Sequence, residues 1–84
     1  MEKSKIKGGL NMDYPKMQIV SSSSIAEVGY DEPSQTVYVR FLNGTLYIYK
    51  GVPQFEYDGL LNSPSLGSYL HRNFKNVYPY ERIE

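Results

Sequence analysis

The segment TVYVRFLNGTLYIYK, residues 36–50, decides the fold. Two runs rich in Val, Tyr, Phe, Ile and Thr, residues that suit a pleated and half-buried surface, flank Asn43-Gly44, a dipeptide that strongly marks a tight hairpin. Two registers are compatible with it. A two-residue type I′ loop pairs Leu42 with Thr45. It gathers Val37, Val39, Phe41, Leu46 and Ile48 on one face and Tyr38, Arg40, Tyr47 and Tyr49 on the other. A three-residue loop, with Gly44 left-handed in a G1 bulge, pairs Phe41 with Thr45. Val37, Val39, Phe41, Tyr47 and Tyr49 then share one face, opposite Tyr38, Arg40, Leu46, Ile48 and Lys50. A slip of one residue carries every side chain of a strand across the sheet. Register therefore decides whether Tyr47 and Tyr49 form an exposed stacking platform or turn inward.

Upstream, Ile25–Tyr30 reads as a further strand, joined to the hairpin by the turn Asp31-Glu32-Pro33-Ser34, in which proline pre-sets one dihedral. A short strand is expected within Lys16–Val20, before the serine run Ser21–Ser24 breaks the pattern. Residues 1–15 are polar, lysine-bearing and interrupted by Gly8-Gly9, which predicts a flexible tail ahead of a domain at 16–84. Downstream the period turns helical. Pro53 suits a first helical position, and Phe55, Tyr57, Leu60 and Leu61 supply the apolar side of a helix ending near Asn62. Ser63 as N-cap, with Pro64 following, opens a second helix expected to reach about Asn76. Leu66, Tyr69, Leu70, Phe74 and Val77 form its apolar stripe, with Ser68, His71, Arg72 and Lys75 opposite. Tyr78-Pro79-Tyr80 ends it. The order predicts an α+β fold: a small antiparallel β-meander of three to four strands, then two short helices packed on one face.

The chain has 84 residues, enough for one small domain. A domain this size buries only about 60% of its unfolded surface, so a partner or a second copy would add stability. Cysteine is absent, which excludes disulfides, thiolate metal sites and cysteine nucleophiles together. A single histidine excludes a His-rich metal cluster. No apolar run approaches the roughly 20 residues of a membrane helix, and the first residues lack a signal peptide's apolar stretch. The expectation is a soluble, cytoplasmic protein without a membrane partner. Nine basic and nine acidic residues cancel, but unevenly. Residues 1–16 hold Lys3, Lys5, Lys7 and Lys16 against Glu2 and Asp13, and residues 69–82 hold Arg72, Lys75 and Arg82 against Glu81, each a surplus of two positive charges. Glu27, Asp31 and Glu32 are the acidic counterpart.

These pieces resemble the KTSC domain, a family named for its occurrence at the C-terminus of some lysyl-tRNA synthetases. The resemblance rests on Ile25 with Val28-Gly29-Tyr30-Asp31, on Val39, Phe41 and Gly44, and on Tyr47-Ile48-Tyr49 followed by Val52-Pro53. Leu60-Leu61, Ser65-Leu66-Gly67 and Tyr78-Pro79-Tyr80-Glu81-Arg82-Ile83 complete it, so that it spans about residues 22–83. Two positions depart from the usual pattern: Ser63 stands where alanine is frequent, and Phe74 where an aliphatic residue is usual. The family's alternation favours the G1-bulge register, with Tyr47 and Tyr49 turned toward the helices. Members also stand alone in bacteria and their phages. The resemblance implies no activity, and RNA binding is suggested only through the synthetase attachment.

The best nucleic-acid candidate is the stripe His71, Arg72 and Lys75, extended by Arg82. Cations on one helix face can meet successive phosphates, and Tyr78 or Tyr80 can stack on an unpaired base. A plainer reading is that these cations only complement the helix macrodipole. Ser65 and Gly67, at the start of the same helix, can hold an anion on free N–H groups. Capping and close packing explain them equally. Tyr47 and Tyr49 read as core residues of the family motif. Tyr38, Leu46 and Ile48 would then form an apolar patch on the outer face, for the N-terminal strand, a second copy or a partner to cover. No catalytic or metal site is expected: His71 has no nucleophile at a supporting spacing, Ser65 lacks a G-x-S-x-G elbow, and Glu56 and Asp58 point apart on a helix. The expectation is a non-catalytic binding domain without cofactors. Its preferred ligand is RNA, either tRNA or single-stranded, and the alternative is contact with another protein or with itself through the outer face.

Overall fold

The computed structural model describes residues 14–84. Most of the expected tail, residues 1–13, lies outside the described residues. The strands are β1 (Met17–Ile19), β2 (Ile25–Asp31), β3 (Thr36–Phe41), β4 (Leu46–Tyr49) and β5 (Tyr80–Arg82); α1 (Gln54–Leu61) and α2 (Leu66–Asn73) lie between β4 and β5. They form a five-stranded antiparallel sheet in chain order.

The central hairpin adopts the G1-bulge register. The Gly44 N–H donates to the Phe41 carbonyl at 2.9 Å and the Phe41 N–H to the Thr45 carbonyl at 2.9 Å. Val39 therefore stands opposite Tyr47, and Val37 opposite Tyr49. Gly44 has φ +93°, a backbone state that only glycine adopts without strain. The Asn43 Oδ1 locks the loop by accepting from the Thr45 N–H at 3.1 Å and the Thr45 hydroxyl at 2.8 Å.

Both helices cover one face. Val28, Val37 and Val39 of the sheet pack with Leu60, Leu66, Leu70 and Phe74, and Phe74 has no exposed surface. Each such aliphatic or aromatic side chain contributes about 1.5–3 kcal/mol when fully buried. Tyr69 crosses onto α1, where its hydroxyl donates to Glu56 Oε1 at 2.7 Å. A Cβ at Gly59 would overlap that hydroxyl, so the helix contact needs glycine there.

The helices differ from expectation at their ends. Pro53 precedes α1 in extended conformation rather than opening it. Phe55 is 73% exposed, because it sits about half a helical turn from Tyr57, which faces the core. The N-cap of α2 is Ser65, not Ser63. Ser63 holds a local turn around Pro64, accepting from the Ser65 N–H at 3.1 Å and donating to the Ser65 carbonyl at 3.0 Å, so helix growth starts two residues later. The helix closes at Asn73 instead of Asn76. The Lys75 N–H reaches back five residues to the Leu70 carbonyl at 3.0 Å, the helical period is lost, and Val77 swings out to 59% exposure instead of joining the stripe.

The fifth strand was not foreseen as a strand. Tyr80–Arg82 is short and exposed throughout, so no alternation announces it. Long-range pairing with the free edge of β4 creates it, and the Ile83 N–H donating to the Leu46 carbonyl at 2.8 Å closes the seam. This seam changes the outer face. Leu46 has no exposed surface, so the expected patch of Tyr38, Leu46 and Ile48 is reduced to Tyr38 and Ile48, both half-buried. Tyr14 packs on Tyr38 with ring centroids 5.7 Å apart, and its hydroxyl bonds the Glu84 carboxylate. Arg40 joins Glu84 at 2.6 Å and Glu27 at 3.4 Å. Tyr14 and Pro15, expected in the tail, thus belong against the sheet, Pro15 near Gly29. The hydrogen bonds from Tyr14 and Arg40 hold the Glu84 carboxyl below its usual pKa.

Candidate functional site

Where the β3–β4 hairpin passes beneath α2, the helix-covered face is open. Side chains four residues apart share one face of a helix. Gly67 and His71 form such a ridge on α2, and Lys75 extends it in the turn beyond. This ridge is one wall of a groove of about 520 Å³, within the roughly 300–1,000 Å³ of small-molecule pockets. Phe41, Tyr47, Tyr49 and Tyr80 make its floor, while Ser24, Asn43 and Thr45 make the other wall. Aspartate and glutamate are absent from this lining. His71 and Lys75 thus face aromatic rings with no anion among those lining residues to neutralise them.

The floor is a connected aromatic surface. Phe41 meets Tyr47 edge-on at 5.6 Å, Tyr47 lies 6.1 Å from Tyr80, and Tyr80 lies 5.6 Å from Tyr49. Phe74 supports Tyr49 from the core side, edge-on at 5.6 Å. The extended backbone of β4 delivers Tyr47 and Tyr49 to the same side, and antiparallel pairing sets Tyr80 opposite Tyr49.

The hydroxyls on this floor are unusual. Tyr49 is only 5% exposed, and burial, followed by the neighbouring Tyr80 and Tyr47 phenols, pushes its pKa up to about 12. Among the described residues, the hydroxyls of Tyr47, Tyr49 and Tyr80 make no hydrogen bond to the protein; Tyr47 is half-buried and Tyr80 exposed, and of the three only Tyr49 is buried. The tyrosines around α1 all have partners. Tyr30 donates to the Val52 carbonyl at 2.6 Å, Tyr57 accepts from Gln18 at 3.4 Å, and Tyr69 and Tyr78 both donate to Glu56.

The residues expected from sequence to bind nucleic acid do not share one place. Gly67, His71 and Lys75 line the groove. The Cβ position of Gly67 has one neighbour within 4 Å, the Ser24 hydroxyl at 3.0 Å. A methyl there would press on that hydroxyl, so glycine permits the close approach of α2 to the segment leading into β2. Arg72 lies on the adjacent exposed row of α2, outside the groove. Ser65 caps α2 through the Ser68 N–H at 3.4 Å and lines a separate polar cleft with Ser21–Ser23. Tyr78 is turned away, edge-on to Phe74 at 5.4 Å and bonded to Glu56. Arg82 stands opposite Tyr47 on β5 and donates to the Glu84 carbonyl at 2.9 Å. Tyr47 and Tyr49 do turn toward the helices, yet their outer rims face the groove. Phe41, Ser24, Asn43 and Thr45 were missed as site residues. The available signal was the hairpin loop itself, which places Asn43 and Thr45 at one end of the sheet.

Among the described residues no group of three His, Cys, Asp or Glu side chains could hold a metal ion, and no helix is long and apolar enough to cross a membrane.

Comparison with known proteins agrees with this architecture. A crystal structure of a KTSC domain protein from Yersinia pestis superposes with a TM-score of 0.76 at 28% identity, covering 82% of this chain and 97% of that one. An uncharacterized protein of Stutzerimonas stutzeri is 39% identical over 70 residues, which is 82% of this chain and 99% of the relative. A lysine–tRNA ligase of Trichormus variabilis is 36% identical over 61 residues, 73% of this chain but only 11% of the ligase. Residues 21–78 match the KTSC domain as a family. On fold and sequence together, the chain belongs to the KTSC domain family.

Proposed function

We propose that this domain is a non-catalytic RNA-binding module that engages single-stranded RNA, or an unpaired segment of a tRNA, through the groove beneath α2. The observation that carries the reading is the position of His71 and Lys75 above an aromatic floor whose lining contains no carboxylate. Single-stranded nucleic acid is held by this pairing of chemistries: cations for the backbone and aromatic faces for the bases. The similarity to part of a protein named for its action on tRNA supports the same reading. His71 has no hydroxyl or thiol nucleophile hydrogen-bonded to it among the described residues, which favours binding over catalysis.

The charge sets the scale. With zero net charge, few cations are at hand: Lys75 lines the groove and Arg72 lies on the adjacent exposed row of α2. A single strand gives a salt slope near 0.7 per phosphate neutralised, so the slope should be about 1–2. The test is anisotropy titration of the full chain with a labelled single-stranded oligoribonucleotide and with tRNA at two salt concentrations. Lys75→Glu with Arg72→Glu should weaken binding by at least about tenfold, since each reversal replaces an attraction with a repulsion. Unchanged affinity, or no binding by the parent chain even at low salt, would overturn the reading.

A further inference from the structure

The groove combines four observations that electrostatic backbone contact alone does not require. It is an open groove lined from both the sheet and α2. Its floor is aromatic, and rings stack on the π-faces of bases. Gly67 keeps the helix wall low, its Cβ position lying only 3.0 Å from the Ser24 hydroxyl. Tyr49, 5% exposed, lines the groove, and its hydroxyl has no protein partner among the described residues. Where that hydroxyl meets the groove, a ligand atom can replace water as its partner. The Asn43 Oδ1 is already used by Thr45, which leaves the Asn43 amide NH₂ free to donate at the groove's other wall.

We infer that the groove takes one unstacked nucleotide of the RNA. Its base lies on Tyr47 and Tyr80 with its edge bonded by the Tyr49 hydroxyl, and its phosphate meets Lys75 and His71. The inference rests on the RNA-binding reading and deepens it, by making the unit of recognition a single base rather than the backbone. Asn43 and Tyr49 present hydrogen-bond donors to the base edge. Carbonyl oxygens, such as those of uracil, are the matching acceptors.

The test uses the full chain and three probes: labelled hexauridylate, an abasic oligoribose phosphate of the same length, and uridine monophosphate as competitor. The expected result is at least tenfold weaker binding of the abasic strand, with displacement of hexauridylate by the mononucleotide at millimolar concentration. Tyr49→Phe should weaken hexauridylate binding five- to tenfold without lowering the thermal midpoint of the free protein, because the lost hydroxyl has no partner there. If the abasic strand binds as tightly as hexauridylate, or Tyr49→Phe binds like the parent, the base pocket is wrong while RNA binding stands. A lowered midpoint for Tyr49→Phe would overturn the role given to its hydroxyl. If none of the strands binds, both readings fall.

Discussion

The tyrosines around α1 and those on the groove floor share one side of one sheet but differ in what their hydroxyls do. Around α1, Tyr30, Tyr57, Tyr69 and Tyr78 spend theirs on the Val52 carbonyl, Gln18 and Glu56. That region is closed, and its polar atoms hold the chain to itself. At the groove, Tyr47, Tyr49 and Tyr80 keep their hydroxyls unbonded within the described chain, beside His71 and Lys75. The same residue type thus builds structure in one place and leaves a surface for recognition in the other. Bonding state, more than burial, separates the two: Tyr49 is better buried than Tyr57, at 5% against 9% exposure.

Phe74 joins the two regions, touching Tyr49 on one side and Tyr69 and Tyr78 on the other. Phe74→Ala should therefore damage both, by about 3–5 kcal/mol as for other buried phenylalanines. In a domain this small, denaturant titration should find much of the population unfolded. A loss below 1 kcal/mol would show that the regions are not coupled through it. Gly59→Ala should harm only the closed region. The added methyl displaces Tyr69 and its bond to Glu56, at about 1–3 kcal/mol, and RNA affinity of the folded fraction should stay within about twofold. The sharpest contrast comes from two identical substitutions. Tyr69→Phe removes a bond to a carboxylate and should cost about 1 kcal/mol. Tyr49→Phe removes an unbonded hydroxyl and should cost nothing or stabilise slightly.

Alkaline pH separates the regions more gently. Burial raises the folded-state pKa of Tyr49 from 10.0 to about 12. The unfolded chain therefore releases this proton first, and stability present below pH 10 is lost as pH rises toward 12. Alkaline unfolding should shift upward in Tyr49→Phe. An unchanged midpoint would place Tyr49 in water.

Much of this was legible in the sequence. Asn43-Gly44 fixed the hairpin, the alternation of Val37, Val39, Tyr47 and Tyr49 matched one of two registers, and the helical spacing of Leu66 and Leu70 located α2. What escaped depended on distant partners or competing local bonds. Leu46 reads as an outer-face residue in the correct register, but it is fully buried, and its backbone pairs with Ile83 and Glu84 of the returning C-terminal segment. Ser63 and Ser65 are equally good caps in composition, and only the turn around Pro64 chooses between them. His71, Arg72 and Lys75 read as one basic stripe able to meet phosphates, because the sequence does not show that β4 runs beneath two of the three. Tyr47 and Tyr49 were divided between core and platform. The groove makes them both at once, by leaving the end of the helix layer open.

The most direct test of the difference between the two regions is a backbone and side-chain NMR titration of the full chain with hexauridylate at low and physiological salt. Saturable shifts should cluster on Phe41, Asn43, Tyr47, Tyr49, Gly67, His71, Lys75 and Tyr80, weaken with salt, and leave Tyr30, Tyr57 and Tyr69 unmoved. Shifts centred on the α1 tyrosines or on Tyr38 and Ile48 of the outer face, or none at all, would contradict the assignment of the groove as the site.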